Sequence, residues 1–168
     1  VMFPAPTAQE IENAAGYTTT RFTANISPGI GDQDFLVQGR AWDYSSNDSG
    51  LNNSGKSVKV DDTNPVGSGL SPSGGTVSGT VPLSVVADEA RSGVKDVTFY
   101  IGNAACSGGW NLIGTGTGVG SNYSSTWDTA AYTEGTYCVR ADIRDNVDHS
   151  ITVTSTTLLD KNPPAIIP

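Results

Sequence analysis

The chain predicts an all-β fold, an antiparallel β-sandwich, and three observations carry that prediction. Apolar residues recur with a period of two: Tyr137, Val139, Ala141 and Ile143 alternate with Cys138, Arg140, Asp142 and Arg144, as on a half-buried strand. Such stretches are cut at short intervals by turn chemistry, here Gly135 before the strand and Asp145, Asn146 and Asp148 after it, leading into a second alternating stretch from Ile151. Finally, 20 glycines and nine prolines suit strands and turns, and no helical stretch is long enough to connect parallel strands.

Taken in order, residues 1–16 lack a sustained period and read as loop or edge, with 8–14 able to make a helical turn. Residues 17–26, rich in β-branched and aromatic side chains, form the first strand, closed by Ser27-Pro-Gly-Ile-Gly-Asp32. A strand over 35–43, a long Ser/Asn/Asp/Gly loop, a strand over 57–60 and a linker carrying Pro65 follow, the linker running to about Gly75. The second stretch supplies strands at 76–81, 83–87, 97–101, 111–113 and 122–127, then the strand from Gly135 and the one from Ile151. Seven strands at this spacing close a sandwich.

The pattern occurs twice. Residues 35–43 lead through a polar loop to 57–60 and Asp62-Thr-Asn-Pro65, as 137–145 lead to Asp160-Lys-Asn-Pro163. The repeat divides the chain into a partial unit over 1–65, holding last strands only, and a complete one over 66–168. Aligning Phe35 with Tyr137 places Val1 opposite Asn103, so the front strands of the first unit fall before residue 1. Three strands cannot close a sandwich core. Either the chain is an excerpt of a longer repeat protein, or a strand from a neighbouring copy completes the unit and builds a polymer.

Composition excludes several function classes. Seventeen acidic against nine basic residues give a formal charge of −8, which opposes binding to nucleic-acid phosphates. No apolar run approaches the roughly 20 residues of a membrane-spanning helix. The opening residues carry no signal-peptide pattern, so the expectation is a removed leader or an excerpt. The single His149 reads as a solvated turn residue beside Asp145 and Asp148, and no nucleophile elbow, phosphate loop or paired zinc motif accompanies it. The glycine-rich Gly114-Thr-Gly-Thr-Gly-Val-Gly120 precedes a strand and lacks the helix dipole that holds phosphate. The expectation is a protein that is not an enzyme.

Three sets of residues remain as candidate sites. Cys106 and Cys138, the two cysteines, stand near strand ends that antiparallel pairing brings together; Cys138 alternates with Val139 and faces away from the core. Their bond closes a loop of about 32 residues, for which chain entropy gives on the order of 3 to 4 kcal/mol, and implies an extracytoplasmic location. Two free thiols are the alternative. Asp61, Asp62, Asp88, Glu89, Asp145 and Asp148 gather at one pole of such a sandwich, where hard oxygen ligands suit calcium, though no dedicated calcium-loop spacing is present and solvated turn carboxylates are the alternative. Trp42 and Trp110 are candidate glycan-binding aromatics, against packing between repeats as their other use; Trp127 shares parity with Tyr123 and belongs to the core. Asn25, Asn47, Asn52 and Asn122 begin glycosylation sequons.

Residues 74–164 resemble the bacterial Ig-like repeats that stand in tandem in secreted and cell-surface proteins. The resemblance rests on Val77-Ser-Gly-Thr-Val81, Ser92-Gly-Val94, Val97-Thr-Phe-Tyr-Ile101, Leu112-Ile-Gly114, Ser124-Ser-Thr-Trp-Asp128, Glu134-Gly-Thr-Tyr137, Arg144-Asp-Asn146 and Asp160-Lys-Asn-Pro-Pro164 in that order. Residues 16–65 resemble the last part of a preceding repeat, anchored by Arg40-Ala-Trp-Asp43. The departures are the two cysteines, the long loop over 44–55 and the missing front half. The resemblance implies a seven-stranded Ig-like sandwich in a non-catalytic role. The expected function is a structural module of an extracellular or cell-surface protein, serving as spacer, adhesion stalk or filament subunit, with neighbouring repeats or copies of the same chain as partners. An accessory carbohydrate-binding module of a secreted hydrolase is the alternative, its partner a glycan.

Overall fold

The computed structural model describes residues 7–12, 18–23, 31–38, 50 and 55–162, with side chains from residue 31 onward. Every regular element among them is a strand. From Val66 onward they build two facing sheets. One orders the strands β10 (Thr117–Val119), β11 (Asn122–Asp128), β7 (Thr80–Asp88) and β5 (Val66–Ser71). The other orders β6 (Thr76–Val77), β13 (Ser150–Leu159), β12 (Gly135–Asp145), β8 (Val94–Asn103) and β9 (Asn111–Thr115). All pairs are antiparallel except β6 with β13.

The core follows from the alternation. Along β7 the side chains of Val81, Leu83, Val85 and Ala87 are buried while Pro82, Ser84 and Val86 are exposed. They meet Val97, Phe99 and Ile101 of β8 and Val139, Ala141 and Ile143 of β12, all of which pack in one cluster with Trp127 and Leu159. Trp127 is fully buried, on the inner face its parity with Tyr123 predicts. It makes edge contacts with Tyr132 at 5.2 Å and Tyr137 at 5.6 Å between ring centroids, an arrangement that suits the aromatic quadrupole. The Tyr137 hydroxyl donates to the Thr133 carbonyl at 2.8 Å, pinning the crossing between the sheets as a tyrosine corner does.

The strand boundaries differ from the sequence reading in instructive places. Residues expected to be linker form β5, which pairs with β7 from Val66↔Asp88 to Ser71↔Ser84. Its Val-Gly-Ser-Gly sequence hides it, because a Cβ at Gly67 would lie 2.3 Å from Ile143 Cδ1 and 2.8 Å from Val153 Cγ2. Only glycine lets this backbone lie so close to the opposite sheet. The expected strand at 76–81 is instead shared between β6 and the start of β7. Pro82 then stands within β7, opposite Thr126 of β11, and the β5 pairing stops at Ser84, so the missing N–H faces no partner strand.

Before the linker, β1 (Thr7–Glu12) pairs with β2 (Thr18–Thr23) and β3 (Gln33–Val37) with β4 (Lys56–Val60), as two separate two-stranded sheets. The helical turn expected over 8–14 is thus a strand through Glu12. A single turn fixes several dihedrals for one hydrogen bond, and the β2 partner offers a full ladder instead. Of the strand expected over 35–43, the residues beyond 38 lie outside the described ones.

Candidate functional site

Two places on the sandwich collect polar chemistry: the pole where the linker enters, and the outer face of the larger sheet around the disulfide.

At the pole, three loops converge. The β12–β13 turn is closed by Asp145, whose Oδ1 accepts the Val147 and His149 amides at 2.9 Å each, while Asp148 adopts φ 71°, a left-handed conformation that Asp tolerates better than most residues. Asn146 donates through Nδ2 to the Ser92 carbonyl at 2.8 Å and the Gly93 carbonyl at 3.0 Å, tying this turn to the β7–β8 loop. From that loop Arg91 donates through Nε to the Val60 carbonyl and pairs with Asp34 of β3. His149 Nδ1 lies 3.0 Å from the Thr63 carbonyl. The linker is therefore held from both sides.

The six carboxylates expected to gather here have separate fates. Asp148 pairs with Lys95 at 2.5 Å and lies 3.7 Å from Arg144; its hydrogen bond from Lys95 and the two cations hold its carboxyl below the usual range. Asp62 Oδ2 accepts the Gly31 amide, Glu89 Oε1 accepts the Arg91 amide of its own turn, and Asp88 is exposed at the end of β7. Asp61 and Asp145 do come together, and the third member of their group is His149: one ligand atom from each lies within 4.8 Å of the others. The histidine is a correction to the sequence reading. It is only about one-third exposed, because the linker crosses over the turn that carries it.

Asp145 itself is fully buried. It occupies the next inward position after Val139, Ala141 and Ile143, beyond a bulge between β12 and β8 at Arg144/Asp145. Its Oδ2 lies 3.3 Å from His149 Nδ1 yet receives no hydrogen bond, and the Oδ2 of Asp61 is likewise buried without one.

On the outer face, Cys106 and Cys138 are joined in a disulfide, Cα atoms 5.2 Å apart. Cys138 points away from the core as expected but is not open to solvent; it is fully buried beneath the loop that carries Cys106, where Cys106 takes φ 55°. Trp110 lies against Gly102, where a Cβ would come within 2.5 Å of its ring. The Arg140 guanidinium stands 5.1 Å from the Trp110 ring and 5.3 Å from that of Tyr100, within cation–π range, and binds Asp142 through two bonds of 2.6 and 2.5 Å. That pair raises the Arg140 pKa above its ordinary value. A shallow depression of about 340 Å³ continues along Tyr100, Arg140, Asp142 and Arg144. Trp110 is thus half-buried and stacked. Asn122 is exposed at the start of β11. Trp42, Asn25, Asn47 and Asn52 lie outside the described residues.

The resemblance read from the sequence is borne out over residues 65–141, which the bacterial Ig domain family matches. No curated protein matches the chain. Among solved structures, a tetra-tandem repeat in the extending region of a large adhesion protein aligns with 93% of this chain at 22% identity and a TM-score of 0.43. An engineered protein aligns with 57% of it at 22% identity and a TM-score of 0.39. The alignments span 42% and 20% of the lengths of those two chains. Among the described residues no helix is long and apolar enough to cross a membrane.

Proposed function

We propose that the chain is a non-enzymatic structural segment of an extracellular or cell-surface repeat protein, two units over 1–65 and 66–168 acting as spacer, adhesion stalk or filament subunit. The observation that carries this reading is the clamped linker. Arg91 reaches both the Val60 carbonyl and Asp34, and His149 reaches Thr63, so the second unit grips the linker and the preceding strand pair. A spacer transmits orientation only if its junctions are stiff, and these bonds oppose rotation about the linker. Completion of the first unit from outside is supported by the exposure of Leu36, Val37 and Val58 on the β3–β4 pair. The glycan alternative has less support, since the ring of Trp110 is already stacked against Arg140 and Gly102.

Residual dipolar couplings on the full chain test the reading. A stiff junction gives one alignment tensor for strands on both sides of Pro65, and Arg91→Ala separates it into two. Independent tensors in the wild type, or retention of a polysaccharide such as cellulose or chitin on the Trp110 face, would defeat the spacer in favour of a tethered or glycan-binding module.

A further inference from the structure

We propose that Asp61, Asp145 and His149 form a binding site for one divalent transition metal of the zinc class, which fastens the linker to the β12–β13 turn. The inference goes beyond the spacer reading and does not depend on it.

The argument begins from an imbalance. Asp145 is a fully buried carboxylate with one oxygen satisfied by two amides and the other by none. Asp61 also has a buried carboxylate oxygen without a hydrogen bond, and one ligand atom from each of Asp61, Asp145 and His149 lies within 4.8 Å of the others. A carboxylate oxygen shielded from water and given no donor is costly to bury, and a cation bound between the two carboxyl groups would supply the missing partner. Among the described residues no Lys or Arg side chain forms an ion pair with either carboxylate; Arg91 is directed to Val60 and Asp34 and Lys95 to Asp148. What faces Asp145 Oδ2 is an imidazole nitrogen, His149 Nδ1, at 3.3 Å.

The donor set then selects the ion. Calcium takes six to eight oxygen ligands, and Asp62, Asp88, Glu89 and Asp148 do not belong to the group. Two carboxylates and one imidazole are the donor types of zinc sites with three protein ligands and a fourth position for water. Ligands about 2.05 Å from a tetrahedral zinc stand about 3.3 Å from one another, and Asp145 Oδ2 and His149 Nδ1 are 3.3 Å apart. Metal at Nδ1 displaces its proton to solvent and replaces the contact with Thr63, so the linker becomes held through Asp61. The second linker does not repeat the site: aligning Asp62 with Asp160 puts Leu159, a core residue, in the place of Asp61.

Metal-stripped full-length chain is titrated with Zn²⁺, Co²⁺ and Ca²⁺ by calorimetry. In parallel, the imidazole nitrogens of the one histidine are followed by NMR. The expected result is one Zn²⁺ per chain, a shift of the His149 nitrogen signals on binding, and Co²⁺ absorption bands of a tetrahedral site. His149→Gln and Asp61→Asn, both in surface segments that leave the core intact, should each weaken Zn²⁺ at least tenfold. Ca²⁺ binding at this group with His149→Gln without effect would overturn the proposal in favour of an oxygen-only cation site. Zn²⁺ binding that both variants leave unchanged, or no binding with unmoved histidine signals, would overturn it outright.

Discussion

The β3–β4 pair and the β8–β12–β13 sheet are made from similar sequence and come to opposite ends. In the first, Phe35 stands opposite Val58 and Val37 opposite Lys56; in the second, Phe99 stands opposite Ala141 and Ile143 opposite Val97 and Ile151. Yet Val37 is 53% exposed and Leu36 62%, while Phe99, Val97 and Ile143 have no exposure. Alternation and register are satisfied in both. What differs is the second layer: β7 and Trp127 cover the larger sheet, and no described strand covers β3–β4. Strand pairing supplies the ladder, whereas stability comes from burying one face, which a lone two-stranded sheet cannot do.

Separating the two regions should have the largest effect. A fragment over residues 66–168 is expected to unfold cooperatively as a monomer, since its core is closed by its own strands. A fragment over residues 1–65 should give a poorly dispersed NMR spectrum or associate through its exposed apolar side chains. A dispersed spectrum and a cooperative transition at monomeric mass for the shorter fragment would break the comparison.

Single truncations sharpen it. Trp127→Ala removes the largest fully buried side chain and should cost about 3 to 5 kcal/mol in denaturant unfolding of the full chain. Leu36→Ala, with its side chain largely in water, should stay within about 0.5 kcal/mol. Equal losses would mean that the β3–β4 face is covered in solution.

The disulfide belongs to the second region alone and should rank next. Cys106→Ala with Cys138→Ala releases a loop of sequence separation 32, for which chain entropy gives about 3 to 4 kcal/mol. The transition of the 66–168 fragment should move by that amount, and thiol labelling of the unreduced, denatured wild type should find no free thiol. A shift below about 1 kcal/mol would mean that the 103–110 loop is held mainly by Trp110 and Arg140.

The sandwich was legible because its strands carry their pattern in large side chains: Val97, Phe99 and Ile101, or Val139, Ala141 and Ile143, define a face without help. β5 was not, because its identity lies in what Gly67 lacks. The facing of Cys138 followed from parity, but its burial depends on a loop folding back, which no local pattern encodes. At the pole, the same parity places Asp145 on the inner face after Ile143, a signal obscured by reading it as the first residue of a polar turn. His149 carried no such signal. Its partner Thr63 is 86 residues away, and only the folded path of the linker brings the two together.

The smallest effect tests whether the two regions communicate through charge. The Asp32 carboxylate, just before β3, accepts the Asp62 amide at 2.8 Å and the Thr63 hydroxyl at 2.7 Å. These bonds, the amide foremost, with weaker attraction from Arg91 and His149, hold its pKa below the ordinary 3.8. A carboxyl whose folded pKa is depressed adds stability that is fully present above its unfolded value, about 3.9. That contribution is lost as pH falls through the lowered folded value. The difference in thermal midpoint between wild type and Asp32→Asn should therefore be present above about pH 5, shrink below about pH 4, and leave the two proteins alike in stronger acid. Because the carboxylate is open to solvent, the shift should be small and should weaken with added salt. The Asp62 amide resonance provides the local readout and should titrate with Asp32, below the usual carboxylate range. An Asp62 amide that follows an unshifted titration, or a midpoint difference that persists unchanged to pH 3, would show that the linker is held from the second unit alone.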